Sequence, residues 1–115
     1  ARAIGKALEA RIGVPFGVVI SATFVRPWRL GQVNVAIGSH RVPAKTSEIG
    51  GVDAWGRPLS VTEPALSDEI AAATGLVVRK AARTPLVRLR GLVWTASDTT
   101  SARDILRATK EDMFR

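Results

Sequence analysis

Apolar residues at Ile4, Ala7, Leu8 and Ile12 recur at helical spacing, while Arg2, Lys6 and Glu9 occupy the other faces. Gly13 can supply the left-handed stop, so the pattern predicts an amphipathic helix opening the chain. Phe16 to Thr23 (FGVVISAT) is a continuous apolar, β-branched run between Pro15 and Pro27 and predicts a core strand covered on both faces. In Gln32 to Gly38, Val33, Val35 and Ile37 alternate with Asn34 and Ala36, the period of two of a half-buried strand. From Ser39 to Leu59 the periodicity fails, and about twenty residues read as a functional loop or an irregular hairpin. Leu66, Ile70, Ala73 and Val77 form the stripe of a second helix, with Ser60 or Thr62 as cap and Pro64 in its first turn. Leu86 to Val93 reads as a third strand, with Val87 and Leu89 facing one way and Arg88 and Arg90 the other. Beyond Trp94 the chain turns polar, and Ser101 to Arg107 predicts a short capped helix before a charged end.

Composition narrows what these elements can do. The 115 residues suffice for one small domain, and 46% hydrophobic against 23% charged is near the globular average. Cysteine is absent, which removes disulfides, thiolate metal sites and cysteine nucleophiles together. The longest uncharged apolar stretch, Ile12 to Ala22, is too short to span a bilayer. The chain opens on Ala1, in what reads as a helix already under way, as expected for a piece of a longer protein.

The charge balance is the strongest bias: 17 Lys and Arg against 10 Asp and Glu leave +7. Arg79 to Arg90 (RKAARTPLVRLR) holds five cations and no acid, a local field suited to phosphates or acidic partners, or else a solvated basic edge. A second cationic group lies in SATFVRPWRLGQ, where the predicted core strand ends at Thr23 and presents Arg26, Pro27, Trp28 and Arg29 before a glycine. Two guanidiniums flanking a rigid Pro-Trp pair can grip a phosphate or carboxylate; the other reading is a corner in which Trp28 plugs the core and the arginines cap helix ends. His40 is the one histidine, so a histidine metal site or a Ser-His-Asp triad lacks parts, and a surface or turn position is expected for it. Asp68 and Glu69 fall on the polar side of the second helix, where paired acids serve either a cation or solubility. No GxGxxG or Walker loop is present.

The same basic turn also carries a family resemblance. VVISATFVRPWRLGQVNVAIG resembles the VVIxDTFGRPWRxGQxxVAIG signature of the coenzyme F420-0:L-glutamate ligases, or γ-glutamyl ligases. GGVDAWGRPLSVTEPALSDEIAAATGLVVRK is similar to the family's G-x-x-D-x-x-G-x-x-L-x-V-T-x-x-A-x-x-D-E-x-A segment, and PLVRLRGL resembles its P-V-x-x-V-R-G-L strand. The ending SARDILRATKEDMFR is similar to the tail of actinobacterial members, which continue into a flavin-binding nitroreductase-like domain.

The resemblance implies an α+β fold, a mostly buried mixed β-sheet with packed helices, as the second part of the ligase domain. Residues 1–93 would form that partial domain and 94–115 a polar linker and terminal helix. It implies a cytoplasmic enzyme that uses GTP and a divalent metal, Mn or Mg, to activate the terminal carboxylate of F420-0 and join L-glutamate to it through an amide bond. Thr23 would be a metal ligand, and Val78, Arg79, Lys80, Ala81, Ala82, Arg83, Thr84 and Pro85 the nucleotide-contacting stretch. Arg26 and Arg29 are anion clamps by charge and position, not by the resemblance. Departures accompany the matches: Ala22 stands where the family has a metal-binding Asp, Val25 replaces a glycine, and Lys80 stands in the family's Met-Gly-Gln/Glu metal-ligand segment. These departures place positive charge where a metal would sit, or leave Lys80 a solvated member of the basic run. The family's upstream half, with its Asn-Ala-Gly-Val-Asp motif, would precede Ala1. The expected partners are therefore F420-0, L-glutamate, that N-terminal half and a homodimer mate, with no membrane and nucleic acid least favoured. The alternative is a non-catalytic paralogue or interaction module, and the isolated chain is expected to turn over little or not at all.

Overall fold

A computed structural model describes residues 1–112; the end of the SARDILRATKEDMFR tail lies outside the described residues. The order is a helix α1 (Arg2–Ile12), strands β1 (Val18–Arg26) and β2 (Arg29–His40), a helix α2 (Leu66–Gly75) and two short 3-10 turns, Ala102–Ile105 and Thr109–Glu111. Helices packed on strands give the α+β class that the sequence predicts.

The two strands are longer than the apolar pattern suggests because they form one antiparallel hairpin closed by Pro27 and Trp28. Pro27 presets its own backbone angle for the turn, and Trp28 takes the left-handed conformation at φ 56. The register runs Val18 opposite His40 to Ile20 opposite Gly38, then shifts so that Ser21 faces Ala36. Ile37 is thus left without a partner, as the extra residue of a β-bulge. This slip inverts the phase expected for β2: Ala36 is buried and Ile37 exposed.

By strand alternation, one face carries Val18, Ile20, Ala22, Phe24, Val33, Val35 and His40, and the other Ser21, Thr23, Val25, Asn34 and Ala36. α1 lies on the first face, with Gly5 buried against the His40 ring. Its expected stripe does not pack, since Ile4 and Ile12 are both exposed. Gly13 ends the helix at φ 78, its N–H donating to the Glu9 carbonyl as the sequence predicts. α2 lies on the second face and buries Ser67 and Ala71 rather than the Leu66–Ile70–Ala73–Val77 stripe. Small residues win because they let the helix backbone approach the sheet closely; Ser67 Oγ donates to the Ala44 carbonyl at 3.2 Å. Neither Ser60 nor Thr62 caps α2. Its N-cap is Ala65, and the Pro64 carbonyl accepts the Thr46 N–H in a ladder joining 46–50 to 59–64. The loop from Ser39 to Leu59 therefore contains an irregular hairpin, tipped by an Asx turn in which Asp53 Oδ1 accepts from the Trp55 and Arg57 amides.

The core strand is not covered on both faces. Phe24 is 56% exposed, Leu30 fully exposed, and the largest fully buried side chains are Val42 and Ser67. The third strand does not form: 83–90 takes no regular secondary structure and no ladder pairs it among the described residues, because alternation alone supplies no neighbour. The chain returns after it. The Trp94 indole donates to the Arg41 carbonyl at 2.7 Å, Thr100 Oγ1 donates to the Val42 carbonyl, and Ser101 caps the 102–105 turn through a capping box with Asp104. The accessible surface is 9218 Å², where a closed monomer of this mass would show about 6,100 Å². The radius of gyration, 15.9 Å, likewise exceeds the roughly 13 Å of a compact domain of this length.

A Cβ at Gly5 would fall inside the His40 imidazole. Gly5→Ala is therefore expected to lower stability by about 1–3 kcal/mol in denaturant unfolding, with a smaller loss when introduced into His40→Ala.

Candidate functional site

The hairpin register sets Thr23 opposite Asn34 on the α2 face. The Thr23 hydroxyl donates to Asn34 Oδ1 at 3.5 Å, a long contact, and accepts from Lys80 Nζ at 3.0 Å. The ammonium is thereby tethered to a residue 57 positions earlier. The tether exists because α2 ends directly over β2: a side chain at Gly75 would press on the Asn34 carboxamide, so glycine there lets the helix end lie close to the strand. The chain then turns at Arg79–Ala82, where the Ala82 N–H donates to the Arg79 carbonyl, and Arg83 takes a positive φ of 52. A non-glycine residue in that region costs on the order of 1 kcal/mol.

Val78 is half-buried, and Arg79 to Pro85 are all exposed along this turn and the irregular segment after it. None of Arg79, Lys80 or Arg83 takes part in an ion pair among the described residues. Arg26 and Arg29 are also outside those pairs. They face each other across the hairpin turn, and Arg26 Nε is a buried donor without a partner. Like charges directly opposite each other destabilise a hairpin unless an anion intervenes. Trp28 does not plug the core, being 87% exposed at the tip, because the two-residue turn directs it outward. Arg26 is three residues from Thr23, about 10 Å along the strand, and on the alternate face. The structure therefore brings Thr23 and Lys80 together but keeps the Arg26–Arg29 pair as a separate cationic tip.

Ala22 faces away from Lys80, opposite Val35. Val25 shares the Thr23 face and is exposed. The hydrogen-bond partners of the Thr23 oxygen are an ammonium and a carboxamide, not a carboxylate, and no group of three or more His, Asp or Glu side chains among the described residues could hold a metal ion. That donor set fits an anion at Lys80 and does not fit a divalent cation at Thr23.

Two other candidates prove structural. His40 is 3% exposed rather than on the surface, because β2 continues through it beneath α1. Its Nε2 lies 3.5 Å from Glu9 Oε2, while Arg41 bridges Glu9 and Asp98. Asp68 Oδ1 accepts the Ala36 N–H at 2.8 Å beside the bulge, and Glu69 is exposed, so the paired acids do not converge. Asn34 was not legible as a site residue, since only the register places it by Thr23. A shallow cleft of about 320 Å³ lined by Phe16, Arg41, Leu92 and Trp94 lies away from these groups. Among the described residues no helix is long and apolar enough to cross a membrane.

Removing the Asp68 acceptor leaves an amide unpaired beside the core. Asp68→Ala should cost about 1–3 kcal/mol in chemical unfolding, while Glu69→Ala should stay within about 0.5 kcal/mol.

A family model described as F420-0:Gamma-glutamyl ligase matches residues 1–91. The chain is 40% identical over 119 residues to a coenzyme F420:L-glutamate ligase of Methanopyrus kandleri, covering 100% of this chain and 47% of that protein. It is 36% identical over 116 residues to the coenzyme F420:L-glutamate ligase of Methanocaldococcus jannaschii, covering 100% and 46%. The Methanosarcina mazei protein of the same name is 34% identical over 113 residues, covering 97% and 44%. The chain thus spans about half the length of the curated relatives it matches.

Proposed function

Since the chain belongs to the F420-0:gamma-glutamyl ligase family, we propose that it forms part of an enzyme joining L-glutamate to F420-0 through an amide bond with GTP as the activating substrate. In this reading a carboxylate oxygen of F420-0 attacks the γ-phosphorus of GTP, and GDP leaves. The amine of glutamate then attacks the acyl phosphate carbon, phosphate departs, and the nitrogen loses a proton. Each stage gathers anions, which demands fixed positive charge in the site.

The observation that carries the reading is the junction of residues 23 and 80. The resemblance assigns both to one centre, and they are in contact although 57 residues apart. Arg79, Lys80 and Arg83 would face the phosphates within the Val78–Pro85 stretch, and Arg26 and Arg29 would hold a carboxylate or phosphate at the hairpin tip. The surroundings of Thr23 do not fit a metal, and a Mn or Mg ion of the family reaction would need other ligands.

The remainder of a relative-length ligase would cover the face carrying Phe24, Val33 and Val35 and supply the rest of the site. The excess exposed surface supports this, and it is the reason to expect little turnover from residues 1–115 alone. The boundary near residue 93, the cytoplasmic location and the actinobacterial type belong to the same proposal. The second reading is a non-catalytic paralogue, a copy of the fold that binds a partner, a homodimer mate included; Lys80 at Thr23 is the observation that favours it.

Incubation of the full-length protein with F420-0, glutamate, GTP and Mn should yield one GDP for each glutamyl group added, read by mass spectrometry and nucleotide chromatography. A stable complex without glutamate-dependent GDP release would support the paralogue and reject the ligase.

A further inference from the structure

We propose that the Lys80 ammonium replaces a divalent cation at Thr23, so that this surface binds a polyphosphate anion without metal. The proposal deepens the nucleotide reading above and rests on it for the identity of the anion's natural carrier.

The Thr23 oxygen is already committed. It accepts from the ammonium at 3.0 Å and directs its own proton toward Asn34 Oδ1. A divalent ion bound to that oxygen would sit within a few ångströms of the ammonium, and no carboxylate bonds to Thr23, Asn34 or Lys80 to offset the repulsion among the described residues. An anion meets the opposite field. The ammonium has three donors, one of which is used on Thr23, leaving two for phosphate oxygens.

Two more cations share the turn. Arg79 and Arg83 flank Lys80, are exposed, and make no ion pair among the described residues. Three such charges in five residues exceed what a single carboxylate needs and suit the multiple charges of a polyphosphate. The turn is also shaped in advance, by the Arg79–Ala82 backbone hydrogen bond and by Arg83 in the left-handed region. The backbone that carries its cations therefore loses little freedom on binding.

Binding can be measured by calorimetry on the full-length protein with inorganic tripolyphosphate, in EDTA and again with Mn. The wild type should bind in EDTA, with no more than about twofold tightening by Mn. Lys80→Met should weaken binding about tenfold, the loss of one charge-assisted contact, and Lys80→Arg should largely restore it. Arg11→Ala removes the same charge from exposed α1 and should leave affinity within about twofold, which separates a site from general attraction. Citrate should bind at least about tenfold more weakly than tripolyphosphate. GTP in EDTA should match or exceed tripolyphosphate if a nucleotide carries the phosphates; binding of tripolyphosphate alone would keep the anion site and assign it to free polyphosphate. Binding that requires Mn, equal losses in Lys80→Met and Arg11→Ala, or no binding would overturn the proposal. These readouts need no turnover, so they are independent of the outcome of the ligase assay.

Discussion

The register of the β1–β2 hairpin is the constraint from which the remaining packing follows. The unpaired Ile37 changes the pairing by one residue, and with a side-chain period of two this exchanges the faces of everything beyond it. On one side of the slip His40 is delivered to Gly5 of α1. On the other, Ala36 and Asn34 are delivered to α2, and Thr23 comes to stand opposite Asn34. The freed segment beside the bulge offers the Ala36 N–H to Asp68, so an apparent defect in the sheet becomes the point at which α2 is fixed.

Where α2 is fixed decides where the cations go. Ser67, Ala71 and Gly75 let its backbone lie close on β2, and the helix stops above Asn34. The next turn projects across the end of the hairpin toward Thr23. A bulkier helix face would hold α2 further off the sheet and carry Lys80 out of reach of the hydroxyl. The small-residue stripe and the tethered ammonium are thus two consequences of one close approach.

The same economy leaves the fold open. Among the described residues the buried apolar ones are alanines and one valine, Val42, while Phe24, Trp28, Leu30, Leu86 and Val93 are exposed. Hydrophobic burial scales with area removed from water, so much of the apolar content contributes only a fraction of what full burial would give within these residues. The irregular segment over 83–90 likewise joins no ladder among the described residues. A ligase of relative length could enclose this surface, in agreement with the share of the relatives that the chain spans.

Local chemistry in the sequence determined the helix 2–12 with its Gly13 stop, both strands of the hairpin in outline, the second helix, the Ser101 cap and the basic run at 79–90, because each depends on neighbours a few residues away. The family resemblance put Thr23 and Lys80 forward together, with a solvated Lys80 as the other reading, and the structure sets their side chains 3.0 Å apart. Only the tertiary structure decided that Ala36 rather than Ile37 turns inward, that Ser67 and Ala71 rather than Leu66 and Ile70 meet the sheet, that His40 is buried and Trp28 is not, and that 86–93 finds no strand partner. Those outcomes turn on pairing register and on how closely two backbones approach, and both are set by contacts between residues far apart in the chain, which no local pattern of polarity encodes.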